Sequence, residues 1–318
     1  MRIIEWNCQG AFRKKNENIF SYNPDILIIS ECENENKLKF GKLTPKPSDF
    51  FWYGDNENKG IGIFSYSNYR FELMREFNPK FRYIIPLKVT NDKQSFLLFG
   101  IWAMGNKENH EARYIGQIWL AINYYTELFK NETILVGDFN SNKIWDYKER
   151  VGNHTDVVKF LEKKNIESLY HLKNQEEQGK ENIATFYMYR KLEKPYHIDY
   201  CFASEQITKN GYDFSILNTN DWIKFSDHIP IKIEFNKISG LQEIKNSLKV
   251  GLNKKFDKMH TKTKEKFQTL ITDIIQKAEI SDKKGFTEND FIERKEIIKT
   301  TEKLFMIDEL IFEIYENK

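Results

Sequence analysis

Between Ile134 and Asn142 the sequence reads Ile-Leu-Val-Gly-Asp-Phe-Asn-Ser-Asn. An apolar run of this kind fills a buried strand, and Gly137 closes it just before an aspartate and an asparagine. If the backbone stays extended, side chains two apart point the same way, so Asp138 and Asn140 face one spot beyond the strand end. Open α/β sheets place their chemistry there. Taken alone, the stretch reads more simply as a strand closing in an Asx-type turn. A site requires partners from elsewhere in the chain.

Those partners recur at the ends of other apolar runs. Residues 2–8 predict a first strand, with Asn7 near its end and Gly10 stopping it; a helix carrying Arg13, Lys14 and Lys15 is expected next. Pro24-Asp25 opens a second strand over 26–30 that delivers Glu31, a carboxylate that is either solvated at a sheet edge or bound to a cation. Residues 51–66 predict a hairpin turning near Asn58-Lys59-Gly60. Further strands are expected over 82–89 and 95–102, and apolar periodicity predicts a helix over 111–129 leading into the strand at 134. A helix over 155–164 follows, then strands over 185–190 and 197–202. The run Phe225-Ser226-Asp227-His228-Ile229-Pro230 precedes an alternating strand over 231–235. Strands separated by helices in the middle and by hairpins at the ends predict a mixed α/β sandwich.

At 318 residues the chain has room for one large domain and an extension. Its net charge of +2 makes no global commitment to a polyanion, so a basic binding surface must be local. Cys8, Cys32 and Cys201 are an odd count without metal-ligand spacing, which predicts reduced structural thiols. With no signal-peptide core at Met1 and no apolar run able to span a bilayer, a cytoplasmic protein with no membrane partner is expected. From about Lys237 strand signals cease. Lys- and Glu-rich amphipathic segments centred on Phe267–Ala278 and ending in 304–315 predict an all-α C-terminal extension over 237–318. Its apolar stripes must pack on the main domain, on another copy in a homo-oligomer, or on a protein partner.

Asn7, Glu31, Asp138 with Asn140, Asp199, and Asp227 with His228 thus all fall at or beside predicted strand ends. Several acids with amides and one histidine fit a hard-cation site that handles phosphate; Mg²⁺ or Mn²⁺ takes such oxygen ligands, whereas zinc takes more His or Cys. The order of Trp6-Asn7, Ser30-Glu31, Gly137-Asp138-Phe139-Asn140, Ile198-Asp199-Tyr200 and Ser226-Asp227-His228-Ile229-Pro230 resembles the endonuclease/exonuclease/phosphatase superfamily, over residues 1–236. That resemblance implies a catalytic domain built as a four-layer sandwich, two packed mixed β-sheets flanked by helices. It also implies roles: Glu31 as principal metal ligand with Asn7 and Asp227 lining the same site, Asp138 preparing the attacking water, and Asn140 holding nucleophile or phosphate. His228 would contact the phosphate, and Asp199 would accept its hydrogen bond, favouring the charged imidazole.

Two positions depart from the family pattern. Trp102 stands where apurinic-site endonucleases have a tyrosine and DNases a histidine; an indole can stack or donate one hydrogen bond but cannot act as an acid. Gln9 stands where apurinic-site enzymes carry an aspartate. Thr185-Phe186-Tyr187 followed by Tyr196-His197-Ile198-Asp199 is more similar to the nuclease branch, with Trp102, Arg190 and His197 as substrate contacts; for the last two a solvated or structural role stands beside that reading. The expected function is a metal-dependent phosphodiesterase, a nuclease hydrolysing DNA or RNA in line. The alternatives are a phosphatase for a small phosphorylated metabolite or lipid headgroup, and a non-catalytic binding protein.

Overall fold

The strands form where the sequence runs apolar or alternates, and their order brings the separated acids together. The computed structural model describes residues 1–235 except 108 and 210; the helical extension expected over 237–318 lies outside the described residues. In chain order the strands are β1 (Arg2–Asn7), β2 (Ile26–Cys32), β3 (Asp49–Asn56), β4 (Lys59–Ser65), β5 (Arg70–Leu73), β6 (Ile84–Thr90) and β7 (Ser95–Trp102). They continue with β8 (Thr133–Asp138), β9 (Ile166–Ser168), β10 (Phe186–Tyr187), β11 (Pro195–Tyr196), β12 (Asp199–Ser204), β13 (Tyr212–Ile216) and β14 (Ile231–Phe235).

Two mixed six-stranded sheets result, ordered β13-β14-β1-β2-β4-β3 and β5-β6-β7-β8-β12-β9, beside a small β10-β11 hairpin. Each large sheet has one parallel pair at its centre, β1 with β2 and β7 with β8; the remaining pairs are antiparallel. The sheets pack face to face through Ile3, Ile28, Ile63, Leu98, Ile134 and Val136, all fully buried. Each such side chain contributes about 2 kcal/mol relative to an exposed one.

The central strands are also covered on their outer faces, which is why they read as continuous apolar runs. Ile4, Trp6, Leu27 and Ile29 pack with Phe12, Ile19 and Trp222. On the other side Phe99, Ile101 and Leu135 pack under Ile118 and Ile122 of the helix Ile115–Tyr124 and under Val157 and Leu161 of the helix His154–Glu162. The latter helix starts on a capping box in which Asn153 and Asp156 satisfy each other's backbone donors. The four-layer sandwich expected from the sequence is the architecture observed.

Several local expectations need correction. After β1 the chain makes only a 3-10 turn, Phe12–Lys14, and a one-turn helix, Glu17–Phe20. The strand expected over 185–190 stops after Phe186–Tyr187, because Tyr189 and Arg190 take φ of 59° and 58° and fold into a turn. β5, β9 and β13 carried no clear signal: β5 and β9 close the ends of one sheet and β13 one end of the other, and all are short. All three cysteines are free and buried. No helix among the described residues is long and apolar enough to cross a membrane.

Candidate active site

Gly137 is what lets β8 run tightly beside β7 and still deliver Asp138. Its φ is +152°, and a Cβ there would lie 1.8 Å from the Ile101 carbonyl oxygen. Asp138 follows, opposite Trp102 in the parallel register and opposite Asp199 in the antiparallel one. Two carboxylates facing each other across a ladder repel, and both are buried, Asp138 at 0% and Asp199 at 1% exposure.

His228 relieves that repulsion. It lies just before β14, held where Phe186 bridges to it and where the Ser226 hydroxyl accepts its backbone N–H at 3.1 Å. Its Nδ1–H donates to both Asp199 oxygens at 3.0 Å, and Nε2 lies 3.9 Å from Asp138 Oδ2. Burial alone would push the His228 pKa down; Asp199 first and Asp138 next raise it instead, to about 10. Asp138 is itself raised to about 7, mainly by burial, with His228 pulling down and Asp199 pushing up. The imidazolium and its two acids therefore form one charged unit.

Asp138 is aimed by amides from both sheets. Asn7, at the end of β1, donates from Nδ2 to Asp138 Oδ2 at 2.9 Å, a hydrogen bond that crosses from one sheet to the other. Asn140 donates its backbone N–H to Oδ1 at 2.8 Å and its Nδ2 to Oδ2 at 2.9 Å. The convergence of Asp138 and Asn140 was expected from an extended backbone. The chain instead turns left-handed at Asn140, φ 46°, so an Asx turn, the simpler reading of this stretch, brings them together.

Glu31 arrives by a different device. The register of β2 on β4 shifts between Ser30 and Cys32, and Glu31 at φ 60° is the extra residue of that bulge. Its carboxylate lies 3.0 Å from Lys59 Nζ. Asp227 accepts a hydrogen bond from Gln9 Nε2 at 2.9 Å, and the Asn7 side-chain oxygen accepts the Gln9 backbone N–H at 3.0 Å. Gln9 and Glu31 also hold left-handed backbone, a strain of about 1–3 kcal/mol apiece that the surrounding fold must offset, whereas an asparagine such as Asn140 tolerates it.

Among the described residues, Asp138, Asp199 and His228 are a group of three whose ligand atoms lie within 4.8 Å of one another and could hold a metal ion. Glu31 and Asp227 stand outside that group. With the Asn7 amide they offer oxygen donors only, a set that fits a hard divalent cation.

The residues expected to touch substrate fall in different places. Trp102 is 2% exposed, its ring against Tyr83 at 4.6 Å. Arg190 directs its guanidinium to Gln9 Oε1 and to the carbonyls of Lys224, at 3.0 Å, and Phe225, at 3.1 Å. His197 is buried among the rings of Tyr170, His171 and Tyr200, donates from Nδ1 to the Ile183 carbonyl at 2.8 Å, and is lowered by burial to about 4. The sequence reading gave no role to Thr185, whose hydroxyl accepts the backbone N–H groups of Ile198 and Asp199 at 3.0 Å and so fixes the start of β12. It also missed Ala103, whose carbonyl accepts from Asn140 Nδ2 at 2.8 Å. Neither contact leaves a signal until the strands are paired.

These features define a class: a four-layer, two-sheet α/β protein with a histidine-backed carboxylate site at the strand ends. No protein-family model matches the sequence, and no curated protein matches it. Solved structures do match in fold. A truncated TDP2 from Caenorhabditis elegans aligns with TM-score 0.52 at 14% identity, covering 74% of this chain and 96% of that one. The 3′ phosphatase NExo from Neisseria, bound to a product DNA hairpin, gives 0.53 at 19% identity over 74% and 99%. An AP endonuclease from Archaeoglobus fulgidus gives 0.50 at 17% over 74% and 99%. At these identities the likeness is one of fold, and the shared fold is the two-sheet sandwich that the order of motifs implied.

Proposed function

We propose that the described domain is a metal-dependent phosphodiesterase, a nuclease in which Asp138 removes a proton from the attacking water. One observation carries this reading: a fully buried carboxylate, aimed by Asn7 and Asn140, next to an imidazolium that Asp199 holds charged. A phosphodiester repels nucleophiles through its own negative charge. His228 Nε2–H neutralises the charge that develops on the non-bridging oxygens. Asn140 and Asn7 keep the Asp138 oxygens pointed at the water, and with its pKa raised to about 7 Asp138 is matched to proton transfer near neutral pH. Glu31, Asp227 and the Asn7 oxygen would hold Mg²⁺ or Mn²⁺, which supplies Lewis-acid polarisation of the phosphate. The products are a free hydroxyl and a phosphate monoester.

The fold likeness to an AP endonuclease and to a 3′ phosphatase bound to DNA supports a nucleic-acid substrate. The second of these keeps one other reading in view, hydrolysis of a phosphomonoester. The test incubates the purified chain and Asp138→Asn with Mg²⁺ or Mn²⁺ and single-stranded, duplex and abasic DNA, RNA and phosphorylated small molecules. Strand scission by wild type and a loss of about 10³-fold in the variant are expected. Release of inorganic phosphate without scission selects the phosphatase reading, and equal activity of the two proteins on every substrate removes the role of Asp138.

A further inference from the structure

Lys59 has no place in the chemistry above, yet its ammonium sits between Glu31, which has one, and the ring of Trp102. It opens β4 directly after the hairpin turn, and β4 pairs with the strand whose bulge tips Glu31 outward. Lys59 Nζ lies 3.0 Å from Glu31 Oε2 and 5.4 Å from the centroid of the Trp102 ring. The side chain is 46% exposed, so its four-carbon stem is free to swing.

We propose that Lys59 is a built-in counter-ion for Glu31 that gives up the carboxylate to the divalent cation and takes up the substrate phosphate instead. This rests on the reading of Glu31 as a metal ligand. A divalent ion binds a carboxylate oxygen at roughly 2.0–2.6 Å. An ammonium 3.0 Å from the same carboxylate would then stand beside a double positive charge, and that repulsion drives it off. The face of Trp102, 5.4 Å from the ammonium already, keeps a hold on it once the carboxylate is given up, since an indole face attracts a cation. Trp102 lies opposite Asp138 in the β7-β8 register, so an ammonium held on that ring stays beside the strand pair that carries Asp138. There it supplies a positive charge that the indole of Trp102 cannot.

The test uses the full chain and direct binding, without turnover. Titration calorimetry with Mn²⁺ alone compares wild type with Lys59→Met, Lys59→Arg and Glu31→Gln, after melting curves have shown that each is folded. Lys59→Met should bind Mn²⁺ about threefold or more tightly, because an internal competitor is gone. In saturating Mn²⁺ the same variant should bind inorganic phosphate about tenfold more weakly, and Lys59→Arg should restore that affinity. If Glu31→Gln abolishes Mn²⁺ binding while Lys59→Met matches wild type for Mn²⁺ or for phosphate, the lysine exchange is wrong and the metal reading survives. If Glu31→Gln binds Mn²⁺ as wild type does, the reading of Glu31 falls and the exchange falls with it.

Discussion

Replacing Gly137 by alanine tests the link between backbone packing and catalysis at its narrowest point. The added methyl would lie 1.8 Å from the Ile101 carbonyl oxygen, 2.6 Å from its carbon and 2.9 Å from Ile101 Cα. An unstrained carbon contact is about 3.5 Å, so β7 and β8 must part by an ångström or more. The residue also keeps φ near +152°, where side chains are rare. Conformational strain of about 1–3 kcal/mol adds to overpacking of about 1–3 kcal/mol. A domain has only about 5–15 kcal/mol in total. Gly10→Ala is the control: φ is +75°, but nothing lies within 4 Å of the added Cβ, so only conformational strain of about 1 kcal/mol is expected. Urea unfolding should therefore show Gly137→Ala losing at least about 1–3 kcal/mol more than Gly10→Ala. Activity should fall further than stability explains, because the Trp102 register and the Ala103 N–H bond to the Asp138 carbonyl at 2.8 Å move with the strand. A misplacement of about 1 Å costs on the order of 100-fold in rate. Equal stability losses in the two variants would refute the steric account, and a folded Gly137→Ala with wild-type turnover would refute the link to Asp138.

The sequence carried the strands whose faces are both buried, since β1, β2, β7 and β8 are largely apolar runs, and it carried the polar residues at the ends of three of them, Asn7, Glu31 and Asp138. It was silent on β5 and β13 because an edge strand has one covered side and a weaker pattern. The site was legible as a set of residue types at strand ends, but not as contacts. Asn7 and Asp138 are 131 residues apart, and only the stacking of two sheets makes them partners. The placement of Glu31 within a bulge, and of Arg190 on Gln9 and two carbonyls, depends on left-handed residues that no composition rule marks. Lys59 read as a turn residue, and its ion pair with Glu31 depends on the β2-β4 register.

Three titrations follow from the buried charges. Hydrolysis should climb as pH rises through about 7, where Asp138 becomes the base, and decline near 10, where His228 loses its proton; a flat rate profile across that range would contradict both assignments. Asp199→Asn removes the strongest of the three charges that raise His228, so NMR titration should find the ring falling back toward 6.5 while wild type stays protonated well above it. In wild type, then, the stability from His228 is complete below 6.5 and lost as pH rises through about 10, and an unchanged ring titration in the variant would remove Asp199 as its cause. Glu5 lies on β1 at 0% exposure with no hydrogen-bond partner on either carboxyl oxygen, and burial, then Asp199 and Asp138, push its pKa well above 4.5. Its folded form holds a proton that the unfolded chain releases, so wild type loses about 1.4 kcal/mol per pH unit above 4.5 until the folded value is reached. Glu5→Met has no such group, and its stability advantage in urea should therefore widen from pH 5 to pH 8; a constant gap would mean that Glu5 is charged in the folded protein and paired after all.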